Sequence, residues 1–475
     1  MDFNLALVEK EGRSEVFCAS GILLNKKYVL ITSNLFWNEF FKDYKDRLNE
    51  HFILINKDKR YKKNIFVKWK ESNSMIAKKA KIFAGVINND LYSTKNLFKD
   101  WKIDFEDNSN TSNLPLSLFF VLTISDMEGN VAEFKSMLKG WWDEICTRRI
   151  GKGQDIFCSS VSFGNVHFFG SYARGIVSNI VGNNNCLILS DIPSTPGSEG
   201  SPVFKLKDHV PFGIIISPLN WWKNEYTGCT LIADLRPILM RLLNLNVGIQ
   251  ETSLNLEVLA GSELSLVKLS CGYSWGSGII FDKNKGIIIT NSHIFDEDDN
   301  GIIKINWKNK SSLGTLIYKT PKDSVFDIAL VSCSEINEWK VESIKINKES
   351  ISLGATIYSS GFSLFSSESS LSPTISKGNI SQIDEGIIKT TSSVHAGASG
   401  GAILNLNGEL IGVIVCNIKL PNSSVFPRVN MAVPILKILP IIDKFLIHRD
   451  LEVLRTLETS STKDLNLWKM LKGKL

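Results

Sequence analysis

The sequence predicts an all-β protein assembled from two successive copies of one kind of domain. Three observations carry that prediction. Short runs of Val, Ile and Leu, such as Ile287-Ile288-Ile289-Thr290, recur between turns rich in Gly, Asn and Ser. Several of these runs occur twice, in the same order, about one half-chain apart. At 475 residues, with 43% hydrophobic and 22% charged residues, the chain has the composition of an ordinary globular protein and room for two domains.

Composition also excludes several classes. The net charge of +5 is small for this length, and lysines alternate with acids, so nucleic acid is not an expected partner. Nowhere do roughly 18 apolar residues run together, so no membrane span is expected. The start, Met1-Asp2-Phe3-Asn4, lacks the basic and apolar regions of a secretory signal. Eight cysteines, Cys18 through Cys416, lie far apart without C-x-x-C spacing, so neither a disulfide framework nor a metal site is predicted. They read as buried or free thiols in a reducing compartment, and no cofactor is implied.

Within the second half, Gly397-Ala398-Ser399-Gly400-Gly401 precedes the apolar run Ala402-Ile403-Leu404. A serine between glycines presents a hydroxyl on a tight turn, where the N–H groups of Gly397 and Ser399 could share one oxyanion. Taken alone, the string is equally a Gly-rich hairpin turn. Upstream, Trp275-Gly276-Ser277-Gly278-Ile279-Ile280-Phe281 and Gly286-Ile287-Ile288-Ile289-Thr290-Asn291-Ser292-His293 read as a hairpin, with His293 just past its second strand. Phe326-Asp327-Ile328-Ala329-Leu330-Val331 sets a carboxylate at the mouth of an apolar strand, where an unpaired charge is costly. His293, Asp327 and Ser399 thus follow the chain order of the chymotrypsin triad. An α/β-hydrolase elbow would need serine, then acid, then histidine. After Ser399 only His448 is available, with no βαβ alternation around it.

These three segments, with Ser376-Lys377-Gly378-Asn379-Ile380-Ser381 and Asn430-Met431-Ala432-Val433-Pro434-Ile435, resemble trypsin-like serine proteases, most closely the Deg/HtrA branch. The resemblance covers roughly residues 260 to 440. It implies chymotrypsin-like domains of two six-stranded barrels with the active site between them. It also implies Ser399 as nucleophile, His293 as general base, Asp327 as the group orienting the imidazole, and Gly397 and Ser399 as the oxyanion hole. Ser393 and Cys416 would line the specificity pocket. No carboxylate lies in Thr390–Val394 or Gly412–Asn417, so a small, neutral or sulfur-bearing residue is expected before the scissile bond. His395 would line that pocket or face solvent. Ala398 stands where secreted relatives carry an aspartate, so activation by a new N-terminus is not expected.

The first half reads as a degenerate copy. Ser20-Gly21-Ile22 through Ile31-Thr32-Ser33-Asn34 parallels the His293 hairpin and sets Asn34 at the base position. Ala173-Arg174-Gly175-Ile176 parallels the strand at Gly378, and Gly197-Ser198-Glu199-Gly200-Ser201 sets Glu199 at the nucleophile position. Phe120, in Ser117-Leu118-Phe119-Phe120-Val121-Leu122, is the expected counterpart of Asp327. None of these substitutes could run acyl transfer. A segment rich in Lys, Asn and Asp between Lys42 and Asn110 is expected to be loop with a short helix. Trp141 and Trp142 fall in a helix-periodic stretch, as core or as a docking patch.

Domain boundaries are expected at 1–248, 255–442 and 443–475, the last a short helical tail. Its final residues, Gly473-Lys474-Leu475, resemble an S-K-L peroxisomal address, with glycine in place of the small hydroxyl residue. Tandem copies, an HtrA-like second half, no room for a PDZ domain and this tail together resemble the family of peroxisomal trypsin-domain processing proteases, which includes the glyoxysomal one of plants. That resemblance implies a location in the peroxisome matrix and substrates that are imported peroxisomal precursor proteins. Leader peptides would be removed and enzymes of fatty-acid β-oxidation trimmed. Self-association and binding of the C-terminus by the peroxisomal import receptor are implied as well. Two alternatives stand beside this reading: an HtrA-like quality-control protease outside the peroxisome, and a non-catalytic peptide-binding pseudoprotease.

Overall fold

In the computed structural model the described residues are 4–12, 14–36, 52–54, 64–72, 74–94, 97, 115–124, 129–222, 225–245, 257–295, 302–322, 324–364, 372–384, 386–419 and 425–458. The chain divides into two compact units, Met1–Asn220 with Gly228–Leu254, and Trp221–Thr227 with Asn255–Leu475.

The first unit opens with β1 (Leu5–Glu11), β2 (Val16–Leu23), β3 (Tyr28–Thr32), β4 (Phe52–Leu54), β5 (Ile65–Glu71), β6 (Ser74–Ile87) and β7 (Leu118–Ile124). β1, β2, β3, β7, β6 and β5 pair around a closed ring, with β4 added to the long β6. Its second barrel holds β8 (Asp155–Val161), β9 (Phe169–Val181), β10 (Leu187–Ser190), β11 (Pro202–Lys205), β12 (Gly213–Trp222) and β13 (Glu225–Asp234). The second unit contributes β14 (Leu266–Cys271), β15 (Ser274–Asp282), β16 (Ile287–Thr290), β17 (Ile303–Trp307), β18 (Lys310–Lys319) and β19 (Ala329–Ser332) to one barrel. β20 (Thr356–Gly361), β21 (Thr374–Asp384), β22 (Ile387–Thr390), β23 (Ala402–Leu404), β24 (Leu410–Lys419) and β25 (Val425–Pro434) form its other barrel. Leaving β4 aside, all four barrels close in the same order: first, second, third, sixth, fifth, fourth. The pairs whose register is described are antiparallel, and closure of the six-stranded rings removes edges that an open sheet would carry.

Each barrel fills its own interior with β-branched and aromatic side chains. Val29, Ile31, Phe120 and Leu122 are fully buried in the first, Ile188 and Ile232 in the second, Ile280, Ile288 and Val331 in the third, and Ile357 and Ile403 in the fourth. The architecture is the all-β tandem double barrel that the sequence predicts.

The segment between Lys42 and Asn110 departs from expectation. It supplies β4, β5 and β6, and only then the short helix α1 (Asn89–Ser93). In Ile65-Phe66-Val67-Lys68-Trp69 burial alternates residue by residue, so a period of two lies beneath the many lysines. Helix α2 (Val131–Ile145) buries Phe134 and Leu138 and leaves Trp141 and Trp142 partly exposed. β13 runs into α3 (Leu235–Leu243), where Asp234 caps the Arg236 N–H at 2.8 Å. α4 (Glu257–Glu263) opens the second unit. β25 ends at Pro434, and α5 (Ile435–His448) follows at once, so the expected boundary at 442 falls inside a helix, not at the end of a barrel. After it, α6 (Glu452–Arg455) and Leu457 pack back on the unit, where Tyr318 of β18 donates to Glu458 at 2.9 Å. Gly473, Lys474 and Leu475 lie outside the described residues.

Candidate active site

His293 sits on a single 3-10 turn, Ser292–Phe295, immediately after β16. Asp327 lies two residues before β19, which pairs with β16, so the two side chains meet across adjacent strand ends. His293 Nδ1 and Asp327 Oδ2 are 2.6 Å apart. The other carboxylate oxygen accepts from Ser292 N at 2.8 Å, Ser292 Oγ at 2.7 Å and His293 N at 3.1 Å, and Asn291 Nδ2 donates to the Asp327 carbonyl. With Asp327 only 3% exposed, these donors replace the water the carboxylate has lost. The arrangement fixes Nδ1 as the protonated nitrogen and leaves Nε2 as the basic one.

Ser399 belongs to the neighbouring barrel, on the loop between β22 and β23. That loop is held bond by bond: Ala398 N donates to His395 O, Gly401 N to Ala398 O, and Gly400 N to Ile414 O at 2.9 Å. Gly397 and Gly400 have φ of +89° and +78°, in the region that favours glycine. A Cβ on Gly397 would stand 1.8 Å from the indole of Trp275. Among the described residues the N–H groups of Gly397 and Ser399 donate to nothing in the protein, which leaves both available to an incoming oxygen. The Ser399 hydroxyl itself donates to Val415 O of β24 at 3.1 Å.

One residue that motif reading passes over ties the two barrels together. Ser277 of β15 donates from Oγ to Gly397 O at 2.8 Å, accepts there from Phe362 N at 2.7 Å, and donates from its N–H to Ser399 O at 2.8 Å. Its position in the Gly-Ser-Gly string was the available signal.

Around the expected specificity pocket, Ser392 is fully buried among Ser359, Thr390 and Asn430, whose Nδ2 donates to Ser392 O. Ser393 is partly buried, and its carbonyl accepts from Ser376 Oγ. None of these groups is charged. His395 does not face solvent: it is buried, and burial, aided by the Arg428 charge, lowers its pKa to about 4, so the imidazole is neutral. Cys416 is on β24, and its side chain lies outside the described residues.

In the first unit Ser20 repeats Ser277, donating to Gly197 O at 2.7 Å. Counting along the hairpins from these serines sets Ile31 level with Thr290 and Asn34, which is exposed, level with His293. Ile31 pairs with Phe120 and Thr290 with Ala329. The counterpart of Asp327 is therefore Leu118, two residues before Phe120. Leu118 to Leu122 is an unbroken apolar run, with no polar residue by which a sequence could fix its register. Glu199 occupies the loop position of Ser399, and its Oε2 accepts from Gly197 N at 2.8 Å.

Residues 276–413 match the family model described as trypsin-like peptidase domain. The peroxisomal leader peptide-processing protease of Homo sapiens is 25% identical over 333 residues, covering 64% of this chain and 57% of that protein. The periplasmic serine endoprotease DegP of Escherichia coli strain K12 is 31% identical over 149 residues, 29% of each chain. The chain thus spans little more than half the length of the peroxisomal relatives it matches. Among solved structures, the serine endoprotease from Yersinia pestis overlaps 41% of this chain and 67% of its own, with 20% identity and a TM-score of 0.34.

Proposed function

We propose that this chain is a serine endopeptidase whose second unit carries the chemistry, with Ser399 as nucleophile, His293 as general base and Asp327 as the residue that orients and stabilises the imidazole. The 2.6 Å contact between His293 Nδ1 and Asp327 carries the reading, because it leaves Nε2 as the nitrogen that would take the proton of Ser399 Oγ. In the reaction Ser399 Oγ leaves the Val415 carbonyl and gives its proton to Nε2 as it bonds to the scissile carbonyl carbon. The N–H groups of Gly397 and Ser399 receive the oxyanion. The imidazolium then protonates the departing amine; a water deprotonated by Nε2 bonds to the acyl carbon, and the acyl–Oγ bond breaks as the imidazolium returns that proton to Ser399 Oγ. Giving up the resting hydrogen bond to Val415 costs only about 1 kcal/mol, small against the barrier being lowered.

Its substrates, in this proposal, are imported peroxisomal precursor proteins, from which it removes leader peptides, and enzymes of fatty-acid β-oxidation, which it trims in the matrix. The names of the human and mouse relatives support the peroxisomal assignment. Self-association and delivery by the import receptor through Gly473-Lys474-Leu475 belong to the same proposal. The first unit, residues 1–248, is assigned no catalysis.

A fluorophosphonate probe tests the chemistry, since it reacts with an activated serine. The wild-type chain is expected to label and the Ser399→Ala variant to stay unlabelled. Absence of labelling in the wild type would refute the enzyme and leave the peptide-binding pseudoprotease. Labelling without cleavage of a leader-bearing precursor would keep the protease and remove the peroxisomal substrates.

A further inference from the structure

The loop around Glu199 copies the loop around Ser399 bond for bond. Ser198 N donates to Thr195 O as Ala398 N does to His395 O, Ser201 N to Ser198 O as Gly401 N to Ala398 O, and Gly200 N to Ile215 O as Gly400 N to Ile414 O. The glycines match as well, with φ of +87° and +89° at Gly197 and Gly200. A Cβ on Gly197 would stand 2.3 Å from Gly164 N, and one on Gly200 2.0 Å from Ser20 O, so the conformation is enforced from outside the loop. Such a turn aims the N–H groups on either side of its middle residue at one point and makes a concave site for an anion.

In the second unit the two N–H groups of this turn donate to nothing among the described residues. In the first they do not stay open. Glu199 carries its carboxylate on two methylenes, long enough for it to fold back over its own turn. Its Oε2 accepts from Gly197 N at 2.8 Å, and its own N–H also supports the carboxylate. These are the counterparts of the Gly397 and Ser399 donors.

We infer that the first unit keeps a formed anion site of the oxyanion-hole type and that the Glu199 carboxylate is its permanent internal ligand, so that removing this side chain opens the site to a free carboxylate. The inference concerns the first unit alone and stands whether or not the second is catalytic. Among the described residues no cation is paired with Glu199. Burial is the largest influence on it and pushes its pKa up, while the two N–H groups pull the other way. The dipoles of the turn are therefore its main counter-charge. The ligand class follows from that: a small planar carboxylate without a cationic partner, of which formate is the simplest probe.

Hydrogen exchange of the full-length chain over residues 195–201 tests it, in sodium formate against sodium chloride of equal ionic strength. In wild type the segment is expected to be protected and indifferent to formate. In Glu199→Ala its protection should fall at least tenfold and be restored by formate, not by chloride. A Glu199→Ala segment that stays protected without formate, or is lost and not restored by it, overturns the inference. Should that variant fail to fold, Glu199→Gln keeps the shape and removes the charge. The Gly197 amide proton is then expected to move upfield as its hydrogen bond to a charged acceptor is lost. An unmoved resonance counts against the carboxylate as ligand.

Discussion

Ser277 Oγ donates to the carbonyl of Gly397 at 2.8 Å, and through that bond a strand of one barrel fixes the loop of the other. The same hydroxyl accepts from Phe362 N, so one buried side chain serves both a donor and an acceptor on the far barrel. Ser20 and Gly197 repeat the arrangement in the first unit. A residue used in the same way around Ser399 and around Glu199 belongs to the construction of the loop and not to the chemistry.

Replacing Ser277 by Ala leaves the Gly397 carbonyl and the Phe362 N–H without their partner. Each unsatisfied buried group costs about 1–3 kcal/mol, and part of that cost falls on the oxyanion site. The expected result is a loss of stability in that range and a kcat lower by roughly ten- to a hundredfold, with KM little changed. Urea unfolding and steady-state kinetics check it; a variant with wild-type kcat would remove Ser277 from the positioning role.

Asp327→Asn should be far more damaging. Asn presents an N–H₂ group either to His293 Nδ1 or to the Ser292 and His293 donors, and in the first case selects the wrong tautomer. By analogy with the same exchange in the chymotrypsin template, kcat is expected to fall about 10⁴-fold. The pH profile of kcat measures this directly, and a decrease of less than tenfold would contradict the orienting role.

Gly397→Ala combines a φ of +89° with a Cβ only 1.8 Å from the Trp275 ring. Backbone strain of this kind costs on the order of 1–3 kcal/mol before the clash is counted. Fluorophosphonate labelling is expected to slow by at least a hundredfold. Exchanging Trp275 for Ala as well relieves the clash but not the backbone strain, so partial recovery of labelling separates the two effects.

His395 supplies a pH signature. Burial lowers its folded pKa to about 4 from an ordinary 6.5, so the unfolded chain binds the additional proton between those values. Its contribution is fully present above pH 6.5 and is lost as pH falls through 4. At 1.36 kcal/mol per unit the difference is on the order of 3 kcal/mol. His395→Gln, which cannot titrate, should flatten the acid limb of the stability curve in that window. Equal slopes for the two proteins in urea unfolding from pH 7 to 4 would count against a buried neutral imidazole.

Much of this molecule is legible in its sequence because the signals are local. Gly397-Ala398-Ser399-Gly400-Gly401, the hairpin ending at His293 and the lone carboxylate at Asp327 each announce a backbone shape through a few consecutive residues, as does the second set at Ser20 and Glu199. The all-β class and the doubling of the domain follow from the same short runs.

What the sequence leaves open is set by contacts across strands and between barrels. Register decides that Leu118, not Phe120, lies level with Asp327, and an apolar run carries no mark of register. Closure of the first barrel turns a lysine-rich stretch into β5 and β6, because their alternate residues have an interior to fill. Burial, which depends on what the rest of the chain places overhead, keeps His395 neutral. The union of Ser277 with Gly397 and of Glu199 with the Gly197 N–H likewise exists only once the barrels have closed. Sequence alone determined which groups this protein has to work with; their partners, exposure and charge were decided by tertiary packing, since hydrogen bonding and desolvation depend on distance in space and not on distance along the chain.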